Sequence, residues 1–201
     1  MIKRVLLLIA CFFTTIALAG TDGPVEMLEQ TSQQMIAALK KNHEQIQKDP
    51  TVVYGMAEKI ILPHVDITAM SKLALGREYW QQTNERQRKQ FGAAFADLLI
   101  RTYSTALASY SNEQIRFKPL RGDASEHKRI QVDSVIYQKG GPAIPVSYRL
   151  FNKQGQWKVY DMTVDGVSMI QSFRSQFAAT INQEGIDGLL IAMNKHATKG
   201  H

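Results

Sequence analysis

The chain has 201 residues, 44% hydrophobic and 21% charged, with 13 glycines and 6 prolines. That composition excludes a disordered, collagen-like or repetitive polypeptide and allows one domain with a real core. Lysine and arginine number 24 against 18 acidic residues, a net charge of +6, too small and too scattered an excess to require nucleic acid as a partner. The single cysteine excludes a disulfide framework and any cysteine-rich metal site.

Residues 1–19 read as a cleaved targeting segment: Lys3 and Arg4 precede a nearly continuous apolar run from Val5 to Leu18, and Ala17-Leu18-Ala19 supplies small residues for cleavage. The run is about 15 residues, short of the ~20 that span a bilayer. A mature, soluble chain from Gly20 to His201 is therefore expected. Losing Cys11 leaves it without cysteine, so its core must carry the stability alone. A basic exported protein points toward anionic surfaces, membranes among them.

Asp22-Gly23-Pro24 starts a helix expected to run to about Gln47, with Val25, Leu28, Met35, Ile36 and Leu39 at helical spacing. Asp49-Pro50 opens a second, stopped by Pro63, and a third from about Asp66 to Leu75 ends at Gly76. The strongest periodic segment runs from Asn84 to Tyr110 and places Phe91, Phe95, Leu98, Leu99, Thr102, Ala106 and Tyr110 on one stripe.

The period then changes to two, in Ile115 and Phe117, in Ile130, Val132, Ser134 and Ile136, and in Ile144, Val146, Tyr148 and Leu150. With Trp157 to Val164, and turns at Lys139-Gly140-Gly141-Pro142 and Asn152-Lys153-Gln154-Gly155, these predict a four-stranded antiparallel meander. Ser168 caps a further helix carrying Met169, Ile170, Phe173, Phe177 and Ile181 that stops at Gly185, and a last helix spans Ile186 to about Ala197. The reading is one α+β unit with helices backing the sheet.

The motifs that carry chemistry are sparse. His43, His64, His127, His196 and His201 have no metal-clamping spacing, so no metal site is expected. Asp165-Gly166-Val167-Ser168 is not a nucleophile elbow, and Gly140-Gly141 is followed by proline rather than a phosphate-binding lysine. Asp133, Asp161 and Asp165 lie in or beside strands, where pairing with Arg149 or Arg174 or capping a turn is the ordinary role of a carboxylate. Glu85-Arg86-Gln87-Arg88-Lys89 is a solvated helix start or a patch for a partner or headgroup. What remains is apolar abundance, which suits a carrier of something apolar.

Several stretches carry a resemblance. Leu73-Ala74-Leu75-Gly76-Arg77-Glu78-Tyr79-Trp80, Arg86 to Phe91, Phe95-Ala96-Asp97-Leu98-Leu99 and Tyr103 stand in the first half. Trp157 to Met162, Asp165 to Ile170 and Arg174 to Phe177 stand in the second. In this order they resemble the toluene-tolerance Ttg2 family, the periplasmic phospholipid-binding component of the Mla lipid-transport pathway of Gram-negative bacteria. The chain has Ser172-Phe173 where many members carry Asn-Tyr. The resemblance implies a cone related to nuclear transport factor 2, with helices closing an apolar cavity over a curved sheet. It implies a single lipid-binding domain at 20–201, phospholipid as cargo, no cofactor and no catalysis, and a part in outer-membrane lipid asymmetry. The implied partners are an outer-membrane lipoprotein complex and an inner-membrane, transporter-linked lipid-binding assembly, with a monomer as the default state.

Period and position in the matching segments select Phe95, Leu98, Tyr103, Val146, Tyr148, Val164, Met169, Phe173 and Phe177 as the cavity set. An inverted strand register would exchange inward and outward sets. Two rivals stand beside the carrier: an enzyme using Asp133 or Asp161 as general base in a cone-shaped pocket, and a periplasmic chaperone or adaptor.

Overall fold

The computed structural model describes residues 23–110, 112–138 and 140–198. The targeting segment and the expected mature start at Gly20 lie outside the described residues, as does Lys139 in the first hairpin turn. Helix α1 spans Pro24–Lys41. The continuous first helix expected to Gln47 is interrupted at Asn42, whose side-chain nitrogen donates to the Ala38 carbonyl at 2.8 Å. An asparagine amide competes with the backbone in this way, and a short α2, His43–Lys48, follows. The Asp49 carboxylate then accepts from the Thr51 backbone and hydroxyl, and α3 runs Val52–Ile60. The helix ends before Pro63, as expected, and a 3-10 turn at Leu62–His64 leads onward.

Helix α4, Ile67–Gln82, is broken at the expected stop, Gly76, and has a second segment that the sequence does not predict. Gly76 adopts φ 76° and ψ 167°, which breaks the helix, and a second segment resumes to Gln82. Asp66 caps its start by accepting from the Ala69 N–H at 2.8 Å and pairs with Lys153 at 2.9 Å. Burial pushes the Asp66 carboxyl up, but the Lys153 hydrogen bond, the backbone donors and the lysine's charge together hold it below the usual carboxylate value. A depressed folded pKa contributes stability that is present above the unfolded value of about 3.9 and is lost as pH falls through the folded value. Lys153 is more than half exposed, so water limits the pair to about 1 kcal/mol. Urea unfolding between neutral pH and pH 3 should therefore show a shallower acid limb for Asp66→Asn than for wild type; identical limbs would remove the ion pair from the account.

Helix α5, Glu85–Ala108, is about 36 Å long at 1.5 Å per residue. Asn84 and Gln87 form a reciprocal capping box at its start. Phe91 and Phe95 are fully buried, as the periodicity predicts, but Thr102 and Ala106 are exposed and Ser104 is buried instead. The stripe fails because α5 changes partner. Its first half packs on α4 and α6, and its far end meets α1 and α3, where Leu107, Ala108 and Tyr110 join Met35, Leu39 and Val53.

The sheet has order β1-β2-β3-β4-β5, all antiparallel, with β1 Gln114–Phe117, β2 Arg129–Tyr137, β3 Ile144–Lys153, β4 Gln156–Val164 and β5 Val167–Ser168. Five strands replace the expected four. The fifth arises because Asp165 and Gly166 both take positive φ (49° and 80°), the backbone of a tight primed turn, and fold Val167 back onto Val164. Gln154 and Gly155 (φ 54° and 85°) build the β3–β4 turn in the same way. Ser168 does cap the helix that follows, accepting from the Gln171 N–H at 3.2 Å. That helix, α6, spans Met169–Thr198 and is broken at Gly185 (φ 71°) where the sequence predicts. Among the described residues no helix is long and apolar enough to cross a membrane.

Candidate functional site

The strand register decides which apolar side chains share a surface. Val132 pairs with Tyr148 and Tyr148 with Met162; Ser134 pairs with Val146 and Val146 with Val164. Paired residues point to the same side of a sheet, so these six share one face. Leu150 joins them, opposite Ile130 and Val159, after a bulge between Arg149 and Leu150. Met27 and Leu28 of α1 pack with Val132, Leu150 and Trp157, closing one end of this face with apolar side chains.

The opposite face carries the carboxylates Asp133 and Asp161 and, toward one end, Phe151, which packs against the helical core. Asp133 accepts from Ser147 at 2.6 Å and from Gln131 at 2.9 Å. The Ser147 hydrogen bond holds its carboxyl down against partial burial, helped by Gln131 and the Lys118 charge. Asp161, 3% exposed, accepts from the Ser168 hydroxyl and the Met162 and Ile170 N–H groups, and lies 3.5 Å from the Arg149 guanidinium. Both carboxylates named as candidate bases are thus engaged in holding strands and the start of α6. Among the described residues no group of three or more metal-ligating side chains gathers.

The nine selected residues divide into three groups. Phe95, Phe173 and Phe177 form one aromatic cluster with Phe91, ring centroids 5.2 to 5.6 Å apart and mostly edge to face. Leu98 and Tyr103 pack partly buried at the cluster's margin. Val146, Tyr148 and Val164 stand on the apolar sheet face, Val146 buried and the other two half-buried, and Met169 is buried where β5 passes into α6.

Tyr148 has a telling environment. Burial pushes its phenol up, and the nearby Ser134 hydroxyl opposes only part of the rise, while the residue as a whole is half-buried. Burial raises Tyr103 in the same manner. Met162 and Ser134 belong to this face but were absent from the selected set. The signal was available, since Met162 has the parity of Val164 and Ser134 that of Val132, but a hydroxyl and a mid-strand methionine do not announce a wall.

A protein-family model described as "MlaC protein" matches residues 29–195. The chain is 30% identical over 195 residues to the intermembrane phospholipid transport system binding protein MlaC of Haemophilus influenzae, covering 96% of this chain and 90% of that one. It is 30% identical over 186 residues to the toluene tolerance protein ttg2D of Pseudomonas putida, covering 92% and 85%. Among solved structures, a phospholipid-binding protein from Ralstonia solanacearum in complex with a phospholipid superposes with a TM-score of 0.78 at 26% identity, over 87% of this chain and 96% of that one. Fold and site thus define an α+β domain of the lipid-binding class, with a curved antiparallel sheet and covering helices. The chain belongs to the MlaC family.

Proposed function

We propose that this protein is a periplasmic phospholipid carrier. It encloses acyl chains between its apolar sheet face and helices and shuttles lipid between an outer-membrane lipoprotein complex and an inner-membrane, transporter-linked assembly. The observation that carries the reading is the match along nearly the whole chain to a relative that holds a phospholipid. Val146, Tyr148, Val164 and Met169 supply the sheet-side wall in this reading, Leu98 and Tyr103 the helix side, and Phe95, Phe173 and Phe177 the base. Removal of residues 1–19 delivers a single domain, 20–201, to the periplasm, where a monomer suffices for the task.

The physical need is large. At ~0.8 kcal/mol per methylene, two acyl chains totalling about 30 methylenes cost on the order of 25 kcal/mol to expose to water. Replacing bilayer contacts by side-chain contacts makes the transfer nearly isoenergetic, and direction then follows from differential affinity at the two assemblies. Such a step needs no catalytic group and no cofactor, which agrees with the structural engagement of Asp133 and Asp161.

The test is native mass spectrometry of the mature chain purified from periplasm without detergent. A stoichiometric phospholipid is the expected adduct, and a bare chain that also takes up no lipid from vesicles would overturn the proposal. Leu98→Trp, by filling space at the helix side, should lower occupancy to about half or less while the protein stays folded. Full occupancy in that variant would move the cavity away from Leu98.

A further inference from the structure

A second concave feature has no part in the lipid site. Between α4 and the first turns of α5 lies a cleft of about 410 Å³ with Ile67, Ser71, Trp80 and Gly92 among its walls and Glu85, Arg88 and Lys89 beside them. Trp80 and Arg88 come from the segments that carry the family resemblance, yet neither belongs to the proposed cavity.

Three observations show that the cleft is built to receive something. Ser71 is 1% exposed, and its buried hydroxyl has no hydrogen-bond partner. Thr31, Thr102 and Ser104 each satisfy theirs by donating to the carbonyl four residues back, so Ser71 forgoes the bond its helix offers. A buried unpaired hydroxyl costs free energy that a ligand's polar group would recover.

Arg88 is held in advance. Nη2 donates to the Trp80 carbonyl at 2.8 Å, Nε donates to the Thr83 hydroxyl at 3.1 Å, and the guanidinium lies 4.8 Å from the Trp80 ring centroid. Those bonds leave the Nη1 hydrogens and one on Nη2 for a carboxylate, with the side-chain ordering already done. Finally, Gly92 opens the space by lacking a side chain: a Cβ there would stand 3.6 Å from Ile67 Cγ2 and 3.8 Å from the Ser71 oxygen, ordinary contact distances.

We propose that this cleft docks an acidic segment of a membrane-bound partner protein. An apolar side chain seats against Trp80, Ile67 and Gly92, and a neighbouring carboxylate meets Arg88 and Lys89. Charge favours that occupant, because the two cations outnumber Glu85 in the lining. Shape favours a protein segment over a bilayer, since a flat headgroup surface cannot reach a hydroxyl as enclosed as Ser71. Tryptophan and arginine are also the side chains that dominate docking energies. The inference rests on the carrier reading, in which membrane assemblies must recognise the protein before lipid moves.

The experiment measures binding of the mature chain to the purified outer-membrane lipoprotein complex and inner-membrane lipid-binding assembly, and to protein-free vesicles of phosphatidylethanolamine and phosphatidylglycerol. Gly92→Leu plugs the cleft, Lys89→Glu reverses an exposed charge without touching the core, and Gly92→Ala is the control. At least one assembly should bind wild type and Gly92→Ala alike and bind each of the other variants about tenfold or more weakly. Phospholipid load by native mass spectrometry should be equal in all four proteins. Unchanged binding of Gly92→Leu and Lys89→Glu, or failure of both assemblies to bind wild type, would overturn the docking site. So would loss confined to the vesicles, which would make the cleft a headgroup contact. Cleft-dependent docking by a protein that carries no phospholipid would uphold the site and remove the carrier reading instead.

Discussion

Replacing Phe95 by alanine is expected to destabilise the fold by about 3–5 kcal/mol, read as a lower midpoint in denaturant unfolding at unchanged slope. Phe95 is fully buried and its ring lies within 5.6 Å of those of Phe91, Phe173 and Phe177. Truncation therefore removes transfer free energy, leaves a cavity and breaks edge contacts worth about 0.5–1.5 kcal/mol each. The magnitude also bears on function. A side chain that faces lipid rather than packed protein has fewer partners to lose, so a loss under about 1 kcal/mol would make Phe95 a cavity wall rather than its base.

Gly76→Ala carries the second large effect. At φ 76° and ψ 167° a side chain suffers backbone strain of about 1–3 kcal/mol, and here a Cβ would also stand 3.0 Å from the Arg174 guanidinium. Gly185 offers the comparison, since it has a similar φ of 71° and no heavy atom within 4 Å of a Cβ. Thermal unfolding of both alanine variants should show loss in each and the greater loss at Gly76, the difference measuring how far Arg174 yields. Equal losses would mean that Arg174 moves aside freely; no loss at either would contradict the break in both helices.

These two residues show how much could be read before folding. Phe91 and Phe95 sit where a period of 3.6 puts them, and Gly185 breaks α6 where glycine is expected to. The same helix α5 misleads in its second half, because periodicity reports one face and α5 has different neighbours along its length, with Ser104 buried and Thr102 exposed. Gly76 reads as a stop, yet it joins two helical segments by a conformation open to glycine alone. The fifth strand has only two residues, too few for an alternating pattern to register.

The site was legible as a set of side chains and illegible as a surface. Alternation grouped Val146, Tyr148 and Val164, but only pairing across strands adds Ser134 and Met162 beside them. Phe95, Phe173 and Phe177 have the same apolar character as Tyr148, and nothing in their spacing separates them, whereas the structure puts the three rings in one cluster and leaves Tyr148 half-buried on the sheet. The cleft at Trp80 and Arg88 was visible only as an aromatic residue and a charged helix start.

By itself, then, the amino-acid order determined the class of fold, the order of the elements and most of their ends. Hydrophobic period and turn chemistry are local properties that act over a few residues. Tertiary structure decided the partner of each half of α5, the face to which each strand residue belongs and the cleft at Gly92. Each of those depends on residues distant in the chain meeting within a few ångströms.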